Sequence, residues 1–503
     1  MGSAFRISAQ GKLRAKLPPH SCAVVFSGGL QAFDAARRFP RSHSADPDFY
    51  YLTGIRIPDA VAVVFSEPQA FAEGSTSTLV FIPDRTEIGL ATMGYEYKGK
   101  FGAVGEGTAV RPASQWKKFC TEVLAGEAVQ RIFTKPVRES DFRKPGDQEY
   151  NYLAGKFFAA LAPGFAFEPQ AQRFYKEILG ADSVSMRTLA ARVGAWMEYE
   201  RPDQEDPLLR RLMGIENVDG LRKLQAEIRR MKVDLLQFDG WMAAMRGAKA
   251  EEEVHLIQDA CQVLTESLQL GASKARPGVP ESRLQAIVSY VAQFRGAQLA
   301  APPMVASGKH SAQPNYAAHT ALLPLSGPMV FDLAIASGGY HARATRTVPV
   351  GGEFDADLRA LYTGIAAIHR QSLKNCLPRT RPGSLQQAAA TGFDGLDKQL
   401  IFSVNALGAK KVLKVTHVTG IGLELEEGEG IPELNPGMVI CVETAIYLPD
   451  LDGITAKWRG LGIVLRDMVR ITPSGNEILT AGLPLEADGV AAAVMAERRL
   501  PVD

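Results

Sequence analysis

The sequence predicts an α+β chain built as two domains. Its 503 residues exceed what a single hydrophobic core normally organises. The early part supplies short, β-rich apolar runs. The second half opens on a long helical periodicity and closes on clustered strand-like runs, the separated arrangement of an α+β domain. Composition is that of an ordinary globular chain, 46% hydrophobic and 22% charged.

Taken in order, Cys22–Phe26, Ala60–Phe65 and Leu79–Ile82 read as buried strands, with Pro and Gly beside them. From about residue 170 to 250 the chain turns charged and helix-favouring, as in Gly220–Lys232. After Gly247-Ala248-Lys249, the segment Ala250–Leu270 places Val254, Ile257, Cys261, Leu264 and Leu268 at helical spacing. Strand-like runs follow at Met329–Ala334, Ala344–Val350, Met438–Tyr447 and Leu461–Ile471. The expected division is a tail over 1–20, a first domain over 21–245, a second over 246–485 and a C-terminal tail over 486–503. No solenoid-period repeat or low-complexity tract interrupts this plan.

Charge and cysteine usage exclude several classes. Lys and Arg total 56 against 55 Asp and Glu, so overall charge predicts no nucleic-acid partner and no attraction to anionic lipid. No apolar run approaches a membrane span. The five cysteines, Cys22, Cys120, Cys261, Cys376 and Cys441, are scattered without a C-x-x-C pair, which points to reduced thiols inside a cell. Met1 to Phe33 carries Arg6, Lys12, Arg14 and Lys16 and no acidic residue. That suits a mitochondrial targeting segment or an ordinary basic tail, leaving cytoplasm and mitochondrion both open.

Several segments together resemble the aminopeptidase P/prolidase/creatinase family, peptidase family M24. Arg41-Ser42-His43, Asp48 to Gly54 and Pro58-Asp59-Ala60 look like its N-terminal strand-and-turn signature, and Leu79–Pro83 like the following strand. Gly339-Tyr340 with Thr345-Arg346-Thr347, the run Gly420-Ile421-Gly422-Leu423-Glu424, Gly437 to Tyr447, and Gly462–Thr472 are similar to the family's catalytic-domain motifs. The resemblance implies a creatinase-like α/β domain followed by a pita-bread α+β domain. It also implies two divalent cations such as Mn, held by two Asp, one His and two Glu. Two cations close together repel, so carboxylates must neutralise them.

Carried over position by position, the ligand set is broken. Asp332 and Glu443 remain, whereas Arg343, Thr419 and Arg466 stand at the other three positions. Asn315, followed by Tyr316, stands where a substrate-binding His is normal, and Glu426 where a second one is. His417 lies near the ligand strand and is a candidate if the loop shifts. A guanidinium stays protonated and only donates, so it repels a cation and attracts carboxylates. No bound metal is therefore expected. Two acids and two arginines sum to zero charge, and the sequence leads us to expect the guanidiniums to pair with Asp332 and Glu443. His310, His319 and His341 read as surface or packing histidines, Glu424–Glu429 as a solvated loop edge, and Cys441 as an inert core thiol.

Three functions follow from that pattern. The first is a non-catalytic member acting as a binding or structural subunit, with a protein partner or as a homo-oligomer. The second is a metal-independent, creatinase-like hydrolase, in which His417 with Glu426 or Glu443 would move protons. The third is an active Xaa-Pro metalloaminopeptidase with an unusual site. No H-E-x-x-H, G-x-S-x-G or P-loop motif offers other machinery.

Overall fold

The structure is a computed structural model, and it describes residues 2–28, 45–57, 59–71, 74–83, 107–135, 152–161, 169–200, 206–428 and 430–501. It comprises two compact units, Met1–Met245 and Arg246–Asp503.

The first unit contains β1 (Ser21–Phe26), β2 (Val61–Phe71), β3 (Gly74–Ile82), β4 (Thr108–Pro112), β5 (Arg131–Phe133) and β6 (Val233–Asp234), in sheet order β4-β3-β2-β1-β5-β6. The expected early strands lie within β1, β2 and β3, except that Ala60 precedes β2. Alternate residues Val24, Val63, Phe65 and Phe81 point into one core with Trp116, Phe119 and Phe157. Tyr152–Leu161 forms a helix. Four further helices, at Pro169–Gly180, Ser185–Glu200, Pro207–Met213 and Val218–Arg230, bury Phe174, Leu189, Leu209, Leu224 and Ile228 in a separate core.

Two expectations change here. Residues 1–20 are not a loose tail, because α1 (Ser3–Arg14) buries Phe5, Ala9 and Leu13. The Arg6 guanidinium also donates to the carbonyls of Tyr50 and Tyr51 at 2.6 and 2.5 Å. Nor is Asp48 to Thr53 a strand: Pro47–Thr53 is a short helix, α2. The Asp46 carboxylate caps the amides of Asp48 and Phe49, Pro47 occupies the first turn, and Gly54 ends the helix at φ 73°. Arg41-Ser42-His43 and Pro58 lie outside the described residues.

The second unit is an antiparallel sheet of β7 (Gln298–Leu299), β8 (Met304–Ser307), β9 (Pro328–Ser337), β10 (Tyr340–Pro349), β11 (Leu413–Gly420), β12 (Val439–Leu448), β13 (Leu461–Thr472) and β14 (Gly475–Ile478). Its order is β11-β12-β13-β10-β9-β7, with β8 on β9 and β14 on β13. Gly338 and Gly339, at φ 58° and 90°, form the two-residue turn between β9 and β10, a geometry that disfavours a Cβ. Helices α3 (Glu251–Ser273), α4 (Ala356–Lys374) and α5 (Ala487–Met495) pack against these strands. Gly271 lets α3 come close, since a Cβ there would sit 2.5 Å from Val288 and 3.2 Å from Phe331. The expected tail over 486–503 includes α5, whose Val490 and Val494 are buried.

Candidate functional site

Strand register alone assembles the site. Asp332 on β9 lies opposite Thr345 on β10, Thr345 opposite Arg466 on β13, Arg466 opposite Glu443 on β12, and Glu443 opposite His417 on β11. Directly opposed residues share a face and their Cβ atoms approach within about 5 Å, so these side chains form one row across five strands. Arg343 joins the same face two positions from Thr345, because strand side chains alternate.

The row is closed by ion pairs. Arg343 grips Asp332 with two edges, Nε at 3.2 Å and Nη2 at 2.7 Å. Arg466 Nη1 donates to both Asp332 oxygens at 2.9 and 3.0 Å, and its Nη2 donates to Glu443. Thr345 Oγ1 donates to Asp332 at 3.0 Å. Burial alone would push the Asp332 carboxyl up, but the Arg466 and Arg343 guanidiniums outweigh it and hold it below the usual carboxylate range. Burial likewise opposes the charge of Arg343, and Asp332 outweighs it, so that guanidinium is held still more firmly protonated. A small cleft opens above, lined by Arg343, His417, Thr419, Glu426, Glu443 and Arg466 among others.

The strands that carry the row are fixed from behind. Arg346, next to Thr345, donates to Asp467 at 2.7 Å and to the Arg466 carbonyl at 2.9 Å. Asp467 also contacts His369 Nε2 at 3.0 Å and accepts from Thr480, while His369 Nδ1 lies 3.0 Å from Thr444 Oγ1. Sequence reading missed this cluster. Its signal was a charged residue at consecutive strand positions, Arg466-Asp467, since two faces of one strand cannot both be solvated in a covered sheet.

The expected site residues fall unevenly. Glu443, Arg343, Arg466, Thr419, His417 and Glu426 come together at the cleft, with His417 and Glu426 exposed. Asp332 does not line it but is joined to it through Arg343 and Arg466. Asn315 is exposed and does not line it. Tyr316 is buried with Ala306, Val330, Ala445, Tyr447 and Val464, and its hydroxyl donates to Glu281 at 2.7 Å. The run Glu424–Glu429 is not simply a solvated edge. Glu427 is buried, its carboxylate accepting from Arg246 at 2.7 Å, Lys249 at 2.5 Å and the Leu423 amide at 2.7 Å. It therefore clamps the glycine run that borders the cleft. Gly422 permits this, as a Cβ there would meet the Glu427 carboxylate at 2.7 Å. Glu429 lies outside the described residues. His341 Nδ1 lies 3.0 Å from the Gly422 carbonyl, and burial lowers its imidazole's proton affinity.

As a metal-binding set these residues fit poorly. The two carboxylates of the row, Asp332 and Glu443, already accept from guanidiniums, which cannot ligate a cation. Among the described residues no group of three or more His, Cys, Asp and Glu is arranged to hold one.

The model of metallopeptidase family M24 matches residues 255–473, and that of the aminopeptidase P N-terminal domain matches residues 9–129. The chain belongs to the aminopeptidase P/M24 family. The chain is 30% identical over 257 residues to human Xaa-Pro aminopeptidase 3, covering 49% of this chain and 51% of that protein. It is 27% identical over 246 residues to the mitochondrial Intermediate cleaving peptidase 55 of Arabidopsis thaliana, covering 48% and 50%. The chain thus spans about half the length of these curated relatives. An Escherichia coli aminopeptidase P superposes with a TM-score of 0.74 at 18% identity, covering 99% of each chain. Pseudomonas aeruginosa aminopeptidase PepP gives 0.71 at 19%, covering 98% of each. The aminopeptidase P fold, an N-terminal α/β domain and a pita-bread domain, is therefore shared. Among the described residues no helix is long and apolar enough to cross a membrane.

Proposed function

We propose that this aminopeptidase P-fold protein has given up two-metal chemistry and acts as a non-catalytic binding or structural subunit. One observation carries the reading: Arg466 bridges Asp332 and Glu443, while Arg343 holds Asp332 from the other side. Both remaining acids of the family's ligand set are thereby neutralised within the chain, and a cation entering the cleft meets two guanidiniums. Its function then lies in what the retained fold binds, a protein partner or a second copy of itself. The five free, buried thiols suit a reducing intracellular compartment. The mitochondrial designation of the Arabidopsis relative makes the mitochondrion a compartment to test beside the cytoplasm.

The test is elemental analysis of the purified protein together with an Xaa-Pro peptide assay in added manganese. Neither stoichiometric metal nor turnover is expected, and finding both would restore the metallopeptidase reading. A metal-independent hydrolase is favoured by one feature, the exposed His417 opposite Glu443 at the cleft. Turnover that survives a chelator and disappears in His417→Ala would select it.

A further inference from the structure

The four-helix cluster at Pro169–Arg230 lies between the two family matches, which end at residue 129 and resume at 255. Its last helix, Val218–Arg230, turns Leu221, Leu224 and Ile228 into the cluster's own core. The opposite face carries Arg222, Lys223, Arg229 and Arg230, all exposed. At 100° per residue these four fall within one stripe, and the helical rise spreads them over roughly 12 Å. The carboxylates of this helix do little to neutralise them. Glu227 is taken by Arg211 at 2.6 Å, and Asp219 reaches Arg222 only at 3.7 Å. Arg229 donates to the Leu179 carbonyl at 3.3 Å, which braces it at the surface. The near-zero charge of the whole chain conceals this local excess.

We propose that this stripe binds the sugar-phosphate backbone of a nucleic acid. Three of its four cations are arginines, whose planar forks suit phosphate oxygens. A membrane fits less well, because the helix buries its apolar face in its own core and offers no exposed Leu, Phe or Trp for insertion. An acidic protein fits less well too, since Ala226 is the sole apolar residue within the stripe and stable protein interfaces rely on larger anchors. The inference stands apart from the cleft and does not depend on whether that site is active.

The experiment is fluorescence anisotropy of the full chain with a labelled 20-nucleotide RNA, and in parallel the matching DNA, across a KCl series. Saturable binding at low salt is expected, with affinity falling on a log–log slope of about 3, as roughly four phosphate contacts imply. Arg222→Glu/Lys223→Glu/Arg230→Glu should weaken binding at least tenfold. Lys117→Glu/Lys118→Glu, on a different helix, should leave it unchanged. If circular dichroism shows the triple variant unfolded, Lys223→Gln/Arg230→Gln replaces it, with a loss of about threefold expected. A preference for RNA or for DNA supports the proposal and identifies the source of the phosphates, while equal binding supports a contact made to the phosphates alone. No binding at 50 mM KCl, unchanged affinity in a folded variant, or tighter binding of polyglutamate or phosphatidylserine vesicles would overturn it.

Discussion

The two faces of the second unit's sheet hold the same chemistry in different settings. Arg466 and Asp467 are consecutive, as are Thr345 and Arg346, so each pair sends one side chain to the cleft and one to the helix-covered face. On the cleft face the arginine–carboxylate pairs keep 11 to 25% of their side-chain area exposed. On the covered face Arg346, Asp467 and His369 keep 0 to 5%. Identical pairing therefore means different things. The covered cluster is cross-linking that the strands depend on. The cleft row is a polar layer that stays partly exposed to solvent.

Breaking the covered cluster should have the largest effect. Arg346→Met leaves Asp467 charged in a dry setting with only His369 and Thr480 as partners. Removing one member of a buried ion pair costs about 3–5 kcal/mol, so chemical denaturation should show a loss of that order. A loss under 1 kcal/mol would mean the two faces are equally solvated in solution.

Arg466→Met tests the cleft row and should cost less, about 1–3 kcal/mol, because Arg343 still holds Asp332 and water reaches Glu443. Adding Glu443→Gln should recover part of that loss. A coupling energy of at least 0.5 kcal/mol in the double-mutant cycle marks a true pair. Additive losses would show that the bridge contributes nothing.

The faces should also differ in pH response. Burial pushes the His369 imidazole down, outweighing the Asp467 carboxylate that would raise it. The unfolded chain then binds that proton more readily than the folded one. Stability is fully present above the ordinary His range, near 6.5, and is lost as pH falls through it. The same carboxylate is held well below its usual range, because Arg346 and His369 overcome the burial that alone would raise it. Asp467 therefore adds no slope until far more acid pH. Stability measured from pH 7.5 to 5.5 should fall less steeply in His369→Gln than in the parent, and parallel curves would contradict this.

The difference between the faces also marks what the amino-acid sequence reveals. The cleft row was legible because the strands around Asp332, Arg343, Glu443 and Arg466 keep recognisable flanks, and register does the rest. The N-terminal end was misjudged, since the packing of α1 depends on partners distant in sequence such as Tyr50 and Tyr51. Asp48 to Gly54 reads only as part of a strand-and-turn signature by resemblance, but the Asp46 cap and Gly54 decide for a helix. His369 and Glu427 were hidden for another reason. Each is an ordinary polar residue locally, and only tertiary packing supplies Asp467 to one and Lys249 with Arg246 to the other.

Cys441 sharpens the comparison at its smallest scale, because it borders the cleft while behaving as core. Its side chain touches the cleft lining beside Arg343 and Arg466, whose charges would favour a reactive thiolate. Burial opposes them and prevails, pushing the thiol up to about 12. Only 4% of the residue is exposed. At pH 8 almost none of it would be thiolate, so alkylation by iodoacetamide should be far slower than for a free thiol and should speed up only on unfolding. Mass spectrometry of the alkylated native protein reads this directly. Prompt modification at Cys441 would show that the cleft opens deeper than its floor of ion pairs, and that the two faces are less distinct than their packing implies.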